Sequence, residues 1–508
     1  MTKFLRKLRE LLFSRAIIIS LLLMAQILLF LLFIIRLSQY FAAMYGFFVI
    51  VSALVALHII TNDSNPAYKL AWIIPVLIFP LFGGMLYLFF GADKLGPKIE
   101  QRICDEERTF KLKSIPRPGR IDDLPQRLQV QSEYISRAGY PAYANTKSEF
   151  LESGERKFEE MLKAINSAEK YIFLEYFIIG EGYMWDSIHA LLKEKAAQGV
   201  DVRVIYDSFG CLATLPDDYF KVLRAEGIKC VEFNPPIPVL TMFMNHRDHR
   251  KILVVDGKIG FMGGVNLADE YINHIDRFGH WKDTAVRLEG DAVYSLTAMF
   301  ASMWNAISPE RCDTKFFAPI PAESGNGIIQ PYSDTPLDRE QVGETVYLNM
   351  INRAEKYIYI CTPYLITDNE TITALINAAK SGIDVRIITP HHGDKWYVHA
   401  ITRFGYEQLI KGGVKIYEYS PGFIHAKLFV ADDNVATVGT VNLDFRSLYL
   451  HFECGVWFGG GTTPISIRED FTKTLKKCIE ITEDSPIVRK KGLKKLICSV
   501  LKLFAPLM

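Results

Sequence analysis

The sequence predicts an α/β protein: two tandem α/β sandwich lobes preceded by N-terminal transmembrane helices. Three observations carry that expectation. The chain repeats itself, since Ile165-Asn-Ser-Ala-Glu-Lys-Tyr-Ile172 returns as Ile351-Asn-Arg-Ala-Glu-Lys-Tyr-Ile358, and Gly199-Val-Asp-Val-Arg-Val-Ile205 as Gly382-Ile-Asp-Val-Arg-Ile-Ile388. A pattern His-x-Lys-x-x-x-x-Asp also occurs twice, as His249, Lys251, Asp256 and as His425, Lys427, Asp432. Ahead of both halves lie three charge-free apolar runs.

Those runs come first in chain order. Residues 16–35 carry no charge and are bounded by Arg15 and Arg36. Twenty helical residues at about 1.5 Å each cross a hydrocarbon layer of about 30 Å. Residues 41–60 form a second run, and residues 70–90 a third, broken by Pro75, Pro80 and Gly83-Gly84. A cleaved signal peptide has a shorter apolar core and no spans after it, so that reading is rejected. Lys3, Arg6, Lys7, Arg9 and Arg15 place the N-terminus on the cytoplasmic side. Lys94, Lys98, Arg102, Arg108, Lys111 and Lys113 hold the exit of the third run inside as well. Charge does not choose between two full spans and three. The expected organisation is a membrane anchor at 1–93, a basic linker at 94–145, lobes at 146–325 and 326–485, and a tail at 486–508.

Within each lobe the pattern reads helix, strand (171–177; 357–365), helix (187–198; 371–380), strand (201–206; 384–389) and later a hairpin. Apolar β-branched runs between amphipathic helices indicate buried sheets. The hairpins carry the motifs. Residues 249–255 turn through Asp256-Gly257-Lys258 into 259–263, and residues 425–431 turn through Asp432-Asp433-Asn434 into 435–439. Residues i and i+2 of a strand share a face. Each histidine therefore points with its lysine toward one pocket. Asp256 and Asp432, of opposite parity, brace the turn. The second strand of each hairpin leads to an asparagine, in Gly263-Gly264-Val265-Asn266 and Gly439-Thr440-Val441-Asn442. The tail alternates Arg489, Lys490, Lys491, Lys494, Lys495 and Lys502 with leucines and isoleucines. It reads as a basic amphipathic helix for an anionic bilayer surface, with packing on the protein as the other option.

Paired histidines, lysines and asparagines suit cleavage of a phosphodiester without a metal. A neutral imidazole can attack phosphorus and a protonated one can protonate the leaving oxygen, and the ordinary histidine pKa of about 6.5 gives access to both forms. Lys251, Lys427, Asn266 and Asn442 would hold the phosphate oxygens. A carboxylate is expected behind each imidazole, and Asp283 and Glu453 follow their asparagines closely enough to serve. Tyr176, Tyr364, Phe423 and Trp281 either line a lipid entry or belong to the core. The net charge of +1 argues against a general nucleic-acid binder. The eight cysteines form no Cys-x-x-Cys pair or Cys/His cluster, so no zinc site is suggested, and the histidine chemistry calls for no metal or other cofactor.

The double motif resembles the phospholipase D superfamily. More narrowly, residues 245–270, Gly422-Phe-Ile-His-Ala-Lys427, Asn65-Pro-Ala-Tyr-Lys-Leu-Ala-Trp72 and Leu86-Tyr-Leu-Phe-Phe-Gly91 are similar to the bacterial cardiolipin synthases. The resemblance runs from about residue 65 to the C-terminus. It implies two lobes of phospholipase D type in a multi-pass protein of the cell membrane. It implies that two phosphatidylglycerols become cardiolipin and glycerol through a phosphatidyl-histidine, with His249 as nucleophile, His425 as acid, and Asp256 and Asp432 counted in the catalytic set. The partners implied are those lipids and the bilayer, without nucleic acid. A membrane-bound phospholipase D that hydrolyses phosphatidyl lipids is the alternative on the same scaffold. The chain departs from the family pattern at Tyr332-Ser-Asp-Thr-Pro336, where Ser-Gly-Pro is common, and around Gly182-Tyr-Met-Trp-Asp186, which bears on acceptor preference.

Overall fold

The computed structural model describes residues 41–63, 65–80, 97–112, 121–235, 245–312, 327–338, 340–489 and 492–507, with a few isolated positions elsewhere. The expected span at 16–35 lies almost wholly outside them.

Two sheets dominate, and their strand orders repeat. The first has seven strands in the order Thr146–Leu151, Ala285–Gly290, Ile259–Gly263, Lys251–Val255, Tyr171–Tyr176, Asp201–Asp207, Lys229–Phe233. The second runs Ile328–Asp334, His451–Gly459, Val435–Gly439, Leu428–Ala431, Tyr357–Cys361, Asp384–Pro390, Lys415–Tyr419, with Cys478–Ile481 added at its edge. Both sheets are antiparallel up to the fifth strand and parallel over the next two pairings. The chain duplication is thus a duplication of topology.

Central strands such as Tyr171–Tyr176 and Lys251–Val255 are buried at every residue, which is why their sequences run apolar instead of alternating. Helices Gly154–Asn166 and Tyr183–Ala197 cover one side of the first sheet. The helix Val293–Ile307 lies between the halves: Phe300 stacks on Phe173 at 4.6 Å, and the same apolar cluster continues into Ile328, Tyr332 and Ile358. The lobes share one core, and each would expose it without the other.

Two short parallel pairings stitch the halves together. Arg247–Asp248 pairs with the start of His451–Gly459, and His280–Lys282 pairs with Gly422–Ile424. These cross-links explain a difference from the sequence expectation. The motif strands start at Lys251 and Leu428, not at the histidines, because the His249 amide donates to Phe452 O at 2.9 Å and the His425 amide to Lys282 O at 2.7 Å.

At the N-terminal end, helix Phe41–Thr61 packs Val55, Ala56 and Ile59 against Trp72 and Val76 of helix Pro66–Ile78. Phe47, Ile50, Leu54, Leu77 and Phe79 stay exposed. The third apolar run is no continuous helix. It is interrupted after Ile78, just ahead of Pro80, where the residue before a proline is pushed out of helical geometry. Among the described residues, no helix is long and apolar enough to cross a membrane. The tail helix Leu493–Leu503 packs on the protein by one side. Leu501 and Ala505 pack with Ile401, Phe445 and Ala67, while Leu496, Ile497 and Val500 remain exposed.

Candidate active site

Both histidines stand where the halves are stitched, near enough for the charge of one to act on the other. Nδ1 of His249 lies 2.8 and 2.9 Å from the carboxylate oxygens of Glu453, and Nδ1 of His425 lies 2.6 Å from Oδ2 of Asp283. Each carboxylate belongs to the opposite half of the chain. A carboxylate accepts only, so each Nδ1 carries the proton and each Nε2 presents its lone pair. Both rings are buried, as are both carboxylates.

The four motif cations act on one another. Burial pushes the His249 pKa well below the ordinary histidine value, and the charges of Lys251, Lys427 and His425 push it further. Burial and Lys427 lower His425 to about 4, against the opposing pull of Asp283. Burial lowers Lys251 to about 8, although Glu453 opposes it, and lowers Lys427 to about 7, although Asp283 opposes it. Asp283 lies below the usual carboxylate range: burial alone would raise it, but His425 and Lys427 outweigh that. Each lysine Nζ donates to the carbonyl of its own histidine at 2.5 Å. That bond fixes the ammonium beside the imidazole and leaves further N–H groups for a phosphate.

The asparagines differ from expectation in what they touch. Asn266 accepts the Ile178 amide at 3.1 Å and donates to the Tyr271 hydroxyl at 2.8 Å, so its amide ties loop to loop and has one N–H left over. Asn442 is buried with its Oδ1 unpaired among the described residues.

Asp256 and Asp432, which the resemblance counts with the catalytic groups, are engaged elsewhere by backbone amides. Each sits beyond the far end of its motif strand, in left-handed backbone at φ 53° and 55°. Asp256 accepts the amides of Glu169, Lys170 and Tyr171 at 2.7–2.8 Å. Asp432 accepts those of Glu355, Lys356 and Tyr357 at 2.8–3.1 Å and pairs with Arg127 at 2.5 Å. Five strand residues, roughly 17 Å, separate Asp256 from the imidazole end. Both aspartates tie the turn to the start of the central strand, as strand parity predicts.

Other residues that shape the site carry no signal in the motif. Phe177 lies edge-on to His249 at 5.0 Å, and Tyr271 to His425 at 5.5 Å. Trp281 and Phe423 pack on His425 at 5.5 and 6.0 Å, whereas Tyr176 is core beneath buried Lys157, and Tyr364 donates to Asp394 at 2.6 Å. His451 lies 5.5 Å from His249. The Gly264/Thr440 difference is structural. Thr440 Oγ1 donates to Glu453, but a Cβ at Gly264 would stand 2.1 Å from Asp283 Oδ1. His249, His451 and Glu453 each bring a possible metal-ligating atom within 4.8 Å of the others.

Paired neutral imidazoles with opposed carboxylates and flanking ammonium groups have the chemistry that phosphoryl transfer requires. Comparison with known proteins agrees. The family model described as "Cardiolipin synthase, PLD-like domain" matches residues 161–304 and 347–475, and one described as "Phospholipase_D-nuclease N-terminal" matches 50–91. An uncharacterized protein of Streptococcus mutans is 43% identical over 89% of this chain and 99% of its own length. A cardiolipin synthase of Geobacillus kaustophilus is 36% identical over 78% of this chain and 81% of its own. The structure of a Haemophilus influenzae phosphatidylserine synthase is similar in fold, with TM-score 0.57 and 14% identity over 75% of this chain and 98% of its own. The chain belongs to the cardiolipin synthase, phospholipase D-like family.

Proposed function

We propose that this chain is a cardiolipin synthase that transfers a phosphatidyl group from one phosphatidylglycerol to another. The observation that carries the reading is the crossed pair of imidazole–carboxylate contacts, which makes one site out of two halves. His249 Nε2 attacks phosphorus and forms a P–N bond as the P–O bond to the glycerol headgroup breaks. His425, as imidazolium, gives its proton to the departing glycerol oxygen. Neutral His425 then takes the proton of a hydroxyl on the second phosphatidylglycerol as that oxygen attacks phosphorus and frees His249. Cardiolipin and glycerol are the products, and each step is reversible. The order of roles follows the family resemblance, since the crossed contacts serve both imidazoles alike. Lys251, Lys427 and the remaining N–H groups of Asn266 and Asn442 hold the phosphoryl oxygens.

Water competes for the phosphatidyl-histidine, so a synthase needs a site pressed against lipid. The exposed apolar faces of helices Phe41–Thr61 and Pro66–Ile78, and of the tail, support residues 1–93 as a multi-pass cell-membrane anchor, linked by 94–145 to lobes at 146–325 and 326–485 and a surface-binding tail at 486–508. The test is the full chain in detergent with phosphatidylglycerol and EDTA, its products read by mass spectrometry. Cardiolipin with equimolar glycerol is expected. Phosphatidic acid as sole product would overturn the reading in favour of a phospholipase.

A further inference from the structure

The two halves of the site also differ beside their carboxylates. Two residues before Asp283 stands Trp281, and two residues before Glu453 stands His451. Each ring centre lies 5.5 Å from the nearer reactive imidazole, Trp281 from His425 and His451 from His249. The His425 side is walled by Trp281, Phe423 and the Tyr271 ring. The His249 side instead holds a second imidazole.

His451 stands beside Glu453 but makes no hydrogen bond among the described residues. Its side chain is 10% exposed. Its approach to Glu453 Oε1, at 3.7 Å, is too long for a hydrogen bond. The Glu453 oxygens are already engaged by His249 and Thr440. Buried polar groups are normally satisfied, and an exception beside a reacting centre points to a ligand. The ring offers one N–H donor and one lone pair. A phosphate is acceptor-only and could use the N–H alone, leaving the lone pair unmet. A hydroxyl both donates and accepts, and so matches it.

We propose that His451 binds a non-reacting hydroxyl of the glycerol headgroup and makes the site select a polyol over a simple alcohol. The inference rests on the phosphatidyl-transfer reading and adds what the acceptor must be. No bond is made or broken at His451. It is a specificity-determining residue.

The experiment uses the full chain in phosphatidylglycerol micelles with labelled glycerol and 1-propanol competing as acceptors. Labelled phosphatidylglycerol and phosphatidylpropanol are counted together with cardiolipin. The His451→Phe variant should lower the glycerol-to-propanol ratio by about tenfold or more, the loss of one hydrogen bond, while transfer to propanol persists. His451→Asn, which keeps one donor and one acceptor, should recover most of the ratio. The ratio does not depend on how much protein folds. A ratio within twofold of the unsubstituted enzyme in both variants would overturn the proposal. So would equal loss of both transfers in both variants, which would assign His451 to the support of His249. An unsubstituted enzyme that makes no cardiolipin would count against the proposed function instead, with the ratio still readable.

Discussion

Oδ2 of Asp283, in the first half of the chain, lies 2.6 Å from Nδ1 of His425 in the second. Glu453 and His249 repeat the relationship in the other direction. Neither half therefore holds a complete histidine–carboxylate couple, and the crossed strand pairs that hold the couples together also close the shared core.

The Asp283→Asn and Glu453→Gln variants should fold normally and lose about 10²–10⁴ in kcat, because an amide can donate where the carboxylate only accepts and so favours the wrong imidazole tautomer. Circular dichroism and turnover checked together separate this from misfolding. Variants that keep more than a third of normal kcat would show that the carboxylates do not orient the imidazoles.

The lysines set the alkaline limit. Their folded pKa values lie below the ordinary lysine value, at about 7 for Lys427 and about 8 for Lys251, so raising pH through 7 to 8 removes the positive charge that holds the phosphate. The pH profile of kcat/KM, which reports the free enzyme, should fall over that range. A profile flat to pH 9 would mean that the ammonium groups stay charged or play no part.

Asp256→Ala should lower stability and leave the chemistry alone. Three backbone amides lose their acceptor, at a cost of about 1–3 kcal/mol, tempered by their partial exposure to water. The thermal midpoint should drop by a few degrees while kcat of the folded fraction stays within about threefold. A stable but inactive variant would return Asp256 to the catalytic set.

Gly264→Ala should act through Asp283. The added methyl would press on Oδ1 from 2.1 Å and move the carboxylate off His425. A displacement on the order of 1 Å at a reacting group costs about 10²-fold. Thr440→Gly, which removes a bond to Glu453 without crowding, should cost less. Equal losses in steady-state turnover would contradict this asymmetry.

Much of the arrangement was legible in the sequence. The repeats at Ile165 and Ile351 announced a duplicated topology, and strand parity placed Asp256 and Asp432 away from the chemistry. The carboxylates Asp283 and Glu453 were found, but not their exchange between halves, since each lies close in sequence to its own motif while the strand pairings carry it to the other. Asn266 looked like a phosphate ligand because its bonds to Ile178 and Tyr271 are tertiary. The helix interruption after Ile78 was marked by Pro80. His451 had no repeat counterpart to flag it, for the matching position holds Trp281.

The account stands on His249 and His425 acting as one pair in one cavity. Rapid acid-free quenching of the enzyme with labelled phosphatidylglycerol, followed by peptide mass spectrometry, tests this most directly. A phosphatidyl adduct on His249, absent from His249→Ala, with cardiolipin formation reduced about 10⁴-fold or more in both His249→Ala and His425→Ala, is the predicted result. An adduct on a residue outside this pair, or cardiolipin made at the normal rate by either variant, would contradict it.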